Sequence, residues 1–287
     1  MGTPIVSEGT GRPSFAVRLT EAARRTGSLV CVGLDPDLAR LPVGMVQERD
    51  VATTIVAFNE AIIGATVDLV CAYKPNLGFY LAHGEAGLAA LAATRRLIPP
   101  ETPVILDAKI ADIGSTAVGY AQGVFDVWGF DAVTVNPYLG GEALDPFLDR
   151  ADRGLFVLCK TSNPGSGEFQ DLALGETGEP LHLAVAGRVA EWAKRAAASL
   201  GLVVGATYPA ELAAVRRRCP DLPILLPGVG AQAGDLAAAV AAGLDATGGG
   251  LVVTSSRAIL YASSGADFAE QARAATLRLR DEANAAR

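Results

Sequence analysis

Short apolar runs recur along the chain: 29–34 (LVCVGL), 69–73 (LVCAY), 103–108 (PVILDA), 131–135 (DAVTV), 154–160 (GLFVLCK), 202–206 (LVVGA), 222–226 (LPILL) and 250–254 (GLVVT). Each is continuously apolar rather than alternating, which is how a strand reads when helices cover both of its faces. Between them lie Ala-, Leu-, Glu- and Arg-rich stretches with helical spacing, at 51–65, 85–97, 115–128, 141–151, 181–199, 209–218, 234–242 and 266–284. A further helix is predicted near 14–26, before the first strand. Strands that alternate with helices imply parallel pairing through right-handed crossovers. Eight such units predict an α/β fold, a closed (β/α)₈ TIM barrel with an extra N-terminal helix over its floor. A doubly wound open sheet is the alternative architecture.

The longest segment without an element pattern is 161–180 (TSNPGSGEFQDLALGETGEP), after the fifth strand. A loop of that length in a compact domain is usually a lid or a binding loop, and its place is the C-terminal mouth, where barrel active sites are built. With 287 residues, 50% of them hydrophobic, the chain has ample material for one large core. Residues 13–287 are expected to form a single barrel domain, and 1–12 a disordered tail.

Charge and cysteine content narrow the function. A net charge of −7 argues against a nucleic-acid or membrane surface, while leaving room for a small anion in a local basic pocket. The start, MGTPIVSEGTGRP, has no apolar core of a secretory signal, and no uninterrupted apolar stretch is long enough to span a bilayer. Cys31, Cys71, Cys159 and Cys219 form no Cys-x-x-Cys pair and read as buried, reduced thiols of a cytoplasmic protein.

In a barrel the informative residues are those at strand C-terminal ends. Here these are Gly33-Leu34-Asp35-Pro36, Tyr73-Lys74-Pro75-Asn76, Asp107-Ala108-Lys109 with Asp112 beyond, Asn136-Pro137-Tyr138, Lys160-Thr161-Ser162-Asn163-Pro164, Pro227-Gly228-Val229-Gly230-Ala231-Gln232 and Thr254-Ser255-Ser256-Arg257. Each alone has a plain reading: Asp35 before Pro36 forms a turn, Asp112 or Ser115 caps a helix, and Lys74 lies on a solvated rim. Their collection at one mouth is the signal.

Asp107 and Lys109 are two apart, a spacing that puts both side chains on one face of an extended strand. Lys74, at the end of the neighbouring strand, can approach the same point. Isolated charges there would be costly, so alternating signs are the expected arrangement, and opposite neighbours keep each member ionised. A second, phosphate-like site combines the glycines of 228–230 with Arg257, since barrels often hold phosphate with the loops after strands seven and eight. The only histidines, His83 and His182, sit at no predicted strand end and read as surface or helix residues, so a His-based triad or zinc site is not expected. A Mg²⁺ site on Asp107 and Asp112 would compete with Lys109 and Lys74 for the same carboxylates.

With these residues in place the sequence resembles the orotidine 5′-phosphate decarboxylases, over nearly the whole chain. The family's Asp-x-Lys-x-x-Asp signature stands as Asp107-Ala108-Lys109-Ile110-Ala111-Asp112 after an apolar third strand. Tyr73-Lys74-Pro75-Asn76, Thr161-Ser162-Asn163-Pro164 and Pro227-Gly228-Val229-Gly230 look like its longer-chain bacterial branch. In that branch an Arg-Gly pair commonly follows the signature lysine; here Ile110-Ala111 stands there.

The resemblance implies cofactor-free decarboxylation of orotidine 5′-phosphate to UMP in a homodimer with shared active sites. It implies that Lys74, Asp107 and Lys109, with Asp112 of the partner subunit, form a charged array in which Lys109 protonates C6. It further implies that Asp35 and Lys74 contact the ribose with Thr116 of the partner subunit nearby, that Ser162 meets the pyrimidine, and that Gly230, Gln232 and Arg257 hold the phosphate. No metal is implied. Three other readings stay open: a related Mg²⁺-dependent sugar-phosphate decarboxylase, which carries an acidic ligand in place of Lys74, a Schiff-base aldolase, and a phosphate-binding barrel without chemistry.

Overall fold

A computed structural model describes residues 11–42, 45, 50–229 and 236–287. Eight parallel strands form one sheet: β1 Val30–Gly33, β2 Ala72–Lys74, β3 Ile105–Ile110, β4 Ala132–Val135, β5 Gly154–Lys160, β6 Ser199–Val204, β7 Ile224–Leu226 and β8 Leu251–Ser255. Hydrogen-bonded neighbours run β2-β1-β8-β7-β6-β5-β4-β3. Isolated parallel bridges Tyr73↔Val104 and Asn76↔Asp107 join β2 to β3 and close the barrel. The second bridge lies at the mouth, so the seam of the barrel runs through the predicted charged residues.

The continuous apolar runs are explained by two cores. Inside the barrel, Cys31, Cys71, Ala72, Ile105, Ala132, Phe156, Val203, Leu225 and Val252 pack together, with Phe15 and Leu19 of the N-terminal helix closing the layer from below. Outside it, the opposite strand faces pack against the helices. The N-terminal helix, Phe15–Thr26, is capped by Ser14 and lies across the floor as expected, its Phe15 ring edge-on to Phe156 at 5.9 Å. Beside it the fully buried Asp131 accepts from Arg18 at 2.8 Å, Arg12 at 2.9 Å, Arg95 at 3.2 Å and the Val104 backbone N–H at 3.0 Å. Of the expected tail 1–12, only Gly11 and Arg12 are among the described residues.

Several boundaries differ from the sequence reading. The helix expected over 141–151 is a 3₁₀ turn, Glu142–Leu144, followed by Asp145–Leu148, because Pro146 lacks the N–H that a continuous helix needs. The helix expected over 181–199 stops at Ala193. Ser199 already pairs with Gly154 as the first residue of β6, so tertiary pairing overrides the Ala-rich composition. The segment 161–180 holds a short helix, Gly167–Gln170, and a hairpin of Ala173–Leu174 with Glu179–Pro180. The helix Val51–Thr66 with its 3₁₀ extension to Leu69 is long and apolar enough by mean hydropathy to cross a membrane, although Thr53, Thr54, Asn59 and Glu60 interrupt its apolar run. In this fold Ile55, Phe58, Ile62 and Ile63 of that helix are buried in the outer core.

Candidate active site

β2 and β3 bring Lys74, Asp107 and Lys109 to one point. Lys74 Nζ donates to Asp107 Oδ2 at 2.8 Å, and Lys109 Nζ donates to Asp107 Oδ1 at 2.6 Å. The pairs are unequal: the Lys74 side chain is 5% exposed and that of Lys109 45%. Burial by itself would raise the Asp107 pKa, but the ammonium groups of Lys74 and Lys109 outweigh it and hold the carboxyl well below its ordinary range. Burial would likewise strip the proton from Lys74. The carboxylates of Asp107 and Asp35 reverse that and hold its pKa above the usual lysine value. With each oxygen of Asp107 held by an ammonium, the carboxylate has little left to offer a metal ion.

The two-residue spacing of Asp107 and Lys109 brings them together by a different route from a regular strand. The β3–β4 register shifts between Leu106 and Ile110, and Lys109 has φ +50°, the only positive φ outside glycine among the described residues. The strand bulges here, and the bulge turns Lys109 back toward Asp107.

Asp35, at the end of β1, is buried, and its Oδ1 accepts from the Asn76 N–H at 3.0 Å. Tyr261 ties this turn to the segment after β8: its hydroxyl donates to Asp35 O at 2.9 Å and accepts from the Asp37 N–H at 2.7 Å. Arg257 opens that segment as the first residue of the helix Arg257–Leu260, exposed and without an ion-pair partner among the described residues. Ser162 is wedged between two glycines. A Cβ on Gly205 would come within 2.7 Å of Ser162 Cβ, and Gly228 has φ +95°, so neither position accepts a side chain without displacing Ser162 or straining the turn.

Asp112 and Thr116 stand apart. Asp112 Oδ1 accepts from the Ile113 N–H at 2.8 Å, and among the described residues it pairs with neither Lys74 nor Lys109. It is not a helix cap either: the helix Gly114–Ala121 starts from Ile113 with no side-chain cap. Thr116 lies exposed on that helix. Gly230 and Gln232 lie outside the described residues.

The orotidine 5′-phosphate decarboxylase / HUMPS family matches residues 28–273. The chain belongs to this family. An orotidine 5′-phosphate decarboxylase of Thermomicrobium roseum is 60% identical, with 93% of this chain and 94% of that protein aligned. One from Roseiflexus castenholzii is 54% identical over 95% and 98%. The solved OMP decarboxylase of Leishmania donovani superposes with a TM-score of 0.82 at 39% identity, covering 95% of this chain and 98% of that one. The chain is therefore a carboxy-lyase of pyrimidine biosynthesis on the TIM barrel of the orotidine 5′-phosphate decarboxylase family.

Three contacts at this decarboxylase's mouth go beyond the sequence reading, which places Asn76 and Lys160 at strand ends without giving them a role and does not single out Thr134. Asn76 joins the array, donating from Nδ2 to Asp107 Oδ2 at 3.3 Å. Thr134 on β4 donates to Asp107 Oδ1 at 3.0 Å; a threonine inside an apolar run carries no signal of its own. Lys160, almost fully buried, donates to both oxygens of Asp171 at 2.7 Å and to Ser166 Oγ at 3.2 Å, and lies 4.7 Å from the centre of the Tyr208 ring. His182, read as a surface or helix residue, is helical but buried, with Nδ1 2.9 Å from Gln170 O in the same anchor.

Proposed function

We propose that this enzyme converts orotidine 5′-phosphate to UMP and CO₂ without a cofactor, using fixed charge at Lys74, Asp107 and Lys109. The observation that carries the reading is one carboxylate, 12% exposed, clamped between two ammonium groups, at 2.8 and 2.6 Å, at the barrel mouth. As the C6–carboxylate bond breaks, the electron pair stays on C6 in the ring plane, where it has no π system to enter. A fixed ammonium close by lowers the energy of that carbanion, most strongly where water is excluded. The Lys109 Nζ proton then forms the C6–H bond, and the neutral amine regains a proton from solvent. Asp107 takes its place beside the substrate carboxylate and orients both lysines.

The remaining roles follow the strand ends. Asp35 and Lys74 meet the ribose, Ser162 the pyrimidine, and Arg257 with Gly230 and Gln232 the phosphate. Binding of the remote phosphate supplies free energy that orders the mouth before chemistry. Asp112 and Thr116 act across a homodimer. Supporting this are exposed apolar side chains beside them in the chain, Ile113 next to Asp112 and Val118 on the helix that carries Thr116, 58% and 41% exposed; exposed apolar surface of this kind often marks an interface. We read residues 13–287 as one domain, and the four buried free thiols as those of a cytoplasmic protein.

The test follows the loss of orotate absorbance in excess EDTA with wild type and Lys109→Ala. Turnover should persist in the chelator and fall by at least about 10²–10³-fold in the variant. An unchanged rate in Lys109→Ala would overturn the array mechanism.

A further inference from the structure

β3 and β4 lose register between Leu106 and Ile110. Inside that gap lie Ala108 and Lys109, whose N–H groups fall outside the regular register. Both point instead at one side chain. Thr134 Oγ1 accepts from the Ala108 N–H at 3.0 Å and from the Lys109 N–H at 2.9 Å. The same hydroxyl donates to Asp107 Oδ1 at 3.0 Å.

A hydroxyl has one proton to give and two lone pairs to receive with. Here both lone pairs are occupied by backbone N–H groups, so the proton is directed to the carboxylate. That bond is available because Asp107 stays ionised between its two ammonium partners. Thr134 is 1% exposed, so its hydroxyl is turned inward to these three contacts. One oxygen thus fixes three consecutive residues: the carboxylate of Asp107, the peptide of Ala108, and the peptide of Lys109 at φ +50°. A side chain at positive φ persists only where its surroundings enforce it, and at this position Thr134 supplies the enforcing contacts.

We infer that Thr134 is a positioning residue for decarboxylation: it holds the bulge that aims the Lys109 ammonium and, through the same oxygen, orients the Asp107 carboxylate. The inference rests on the array mechanism proposed above. It concerns the alignment of the proton donor, not the binding of the substrate, so its loss falls on kcat rather than on KM.

Two substitutions at Thr134 separate this role from packing. Thr134→Val keeps the shape and removes the hydroxyl; Thr134→Ser keeps the hydroxyl and removes the methyl. Thr134→Val should lower kcat by about a hundredfold, the effect of a donor displaced by about an ångström, with KM changed less than about threefold, and Thr134→Ser should restore kcat to near wild type. A packing role predicts the reverse order, and a Thr134→Val enzyme with wild-type kcat overturns the inference. If Thr134→Val does not fold, Thr134→Ala against Thr134→Ser makes the same comparison at equal loss of the methyl. Lys109→Ala measured in parallel distinguishes the two claims. If it is inactive while Thr134→Val is fully active, only the positioning role falls; if Lys109→Ala is fully active, the array mechanism falls and takes this inference with it.

Discussion

Lys74 and Asp107 depend on each other at the residue scale, and that dependence gives a pH signature. The folded-state pKa of Asp107 lies below its unfolded value, so its contribution to stability is present above about pH 4 and is lost as pH falls through the folded value. The folded-state pKa of Lys74 lies above its unfolded value, so its contribution is present below about pH 10 and is lost as pH rises through the folded value. Between roughly pH 5 and 9 the pair adds no slope. Replacing Asp107 by Ala reverses the sign. Burial then dominates at Lys74, with Asp35 as the remaining nearby carboxylate, and its folded-state pKa falls below the unfolded one. The unfolded state then binds the extra proton, and stability rises with pH. We expect Asp107→Ala to cost about 3–5 kcal/mol near neutrality, most of it from the buried Lys74 pair, since the Lys109 side chain is 45% exposed and its pair is screened. Urea unfolding at pH 6, 7, 8 and 9 would show the variant's stability rising relative to that of the wild type; parallel curves would mean that Lys74 finds its counter-charge elsewhere.

At the scale of elements, the segment after β5 is tied at both ends rather than free. Lys160 holds Asp171 from inside the mouth, and the Thr161 N–H donates to Gln170 Oε1 at 2.8 Å. Ser162 lies between these ties. Asp171→Asn would weaken the partner of a buried ammonium, a hydrogen bond to charge of about 1.5–3 kcal/mol when lost outright. We expect faster proteolytic cleavage within 161–180 and a KM for orotidine 5′-phosphate raised by about tenfold, with kcat largely kept. Unchanged cleavage and KM would show that the hairpin alone fixes the segment. The same scale explains what could be read in advance. The strands were legible because burial on both faces leaves a continuous apolar run. Strand ends were legible because polar residues collect there. The short helix and hairpin within 161–180 were not, since Gly, Pro and Ser signal turns without saying which turns pair. The bulge at Lys109 was not either: strand period predicts the meeting of Asp107 and Lys109, but the shift in register that delivers it depends on Thr134, a contact across strands that no local pattern encodes. The anchor at Lys160 and Asp171 depends in the same way on a fold already formed.

At the scale of the whole molecule, the two ends of the barrel use charge differently. The floor concentrates arginines on the fully buried Asp131 and locks the N-terminal helix in place. The mouth gathers Lys74, Asp107 and Lys109 into one network, and among the described residues Asp112 stands outside it. Asp112 belongs to the Asp-x-Lys-x-x-Asp signature, joins neither the array nor a helix cap, and is followed by the exposed Ile113; under the proposed shared-site arrangement it completes a neighbour's site. In a closed two-fold dimer such an arrangement is reciprocal. Lys109→Ala and Asp112→Ala should each be nearly inactive alone. Mixed in equal amounts under conditions that allow subunits to exchange, they should form hybrids in about half of all dimers. Each hybrid holds one site with both defects and one with none, so activity should return to about a quarter of the wild-type value. No recovery after exchange has been verified, for example with differently tagged subunits, would place Asp112 in its own chain's chemistry and remove the shared-site reading.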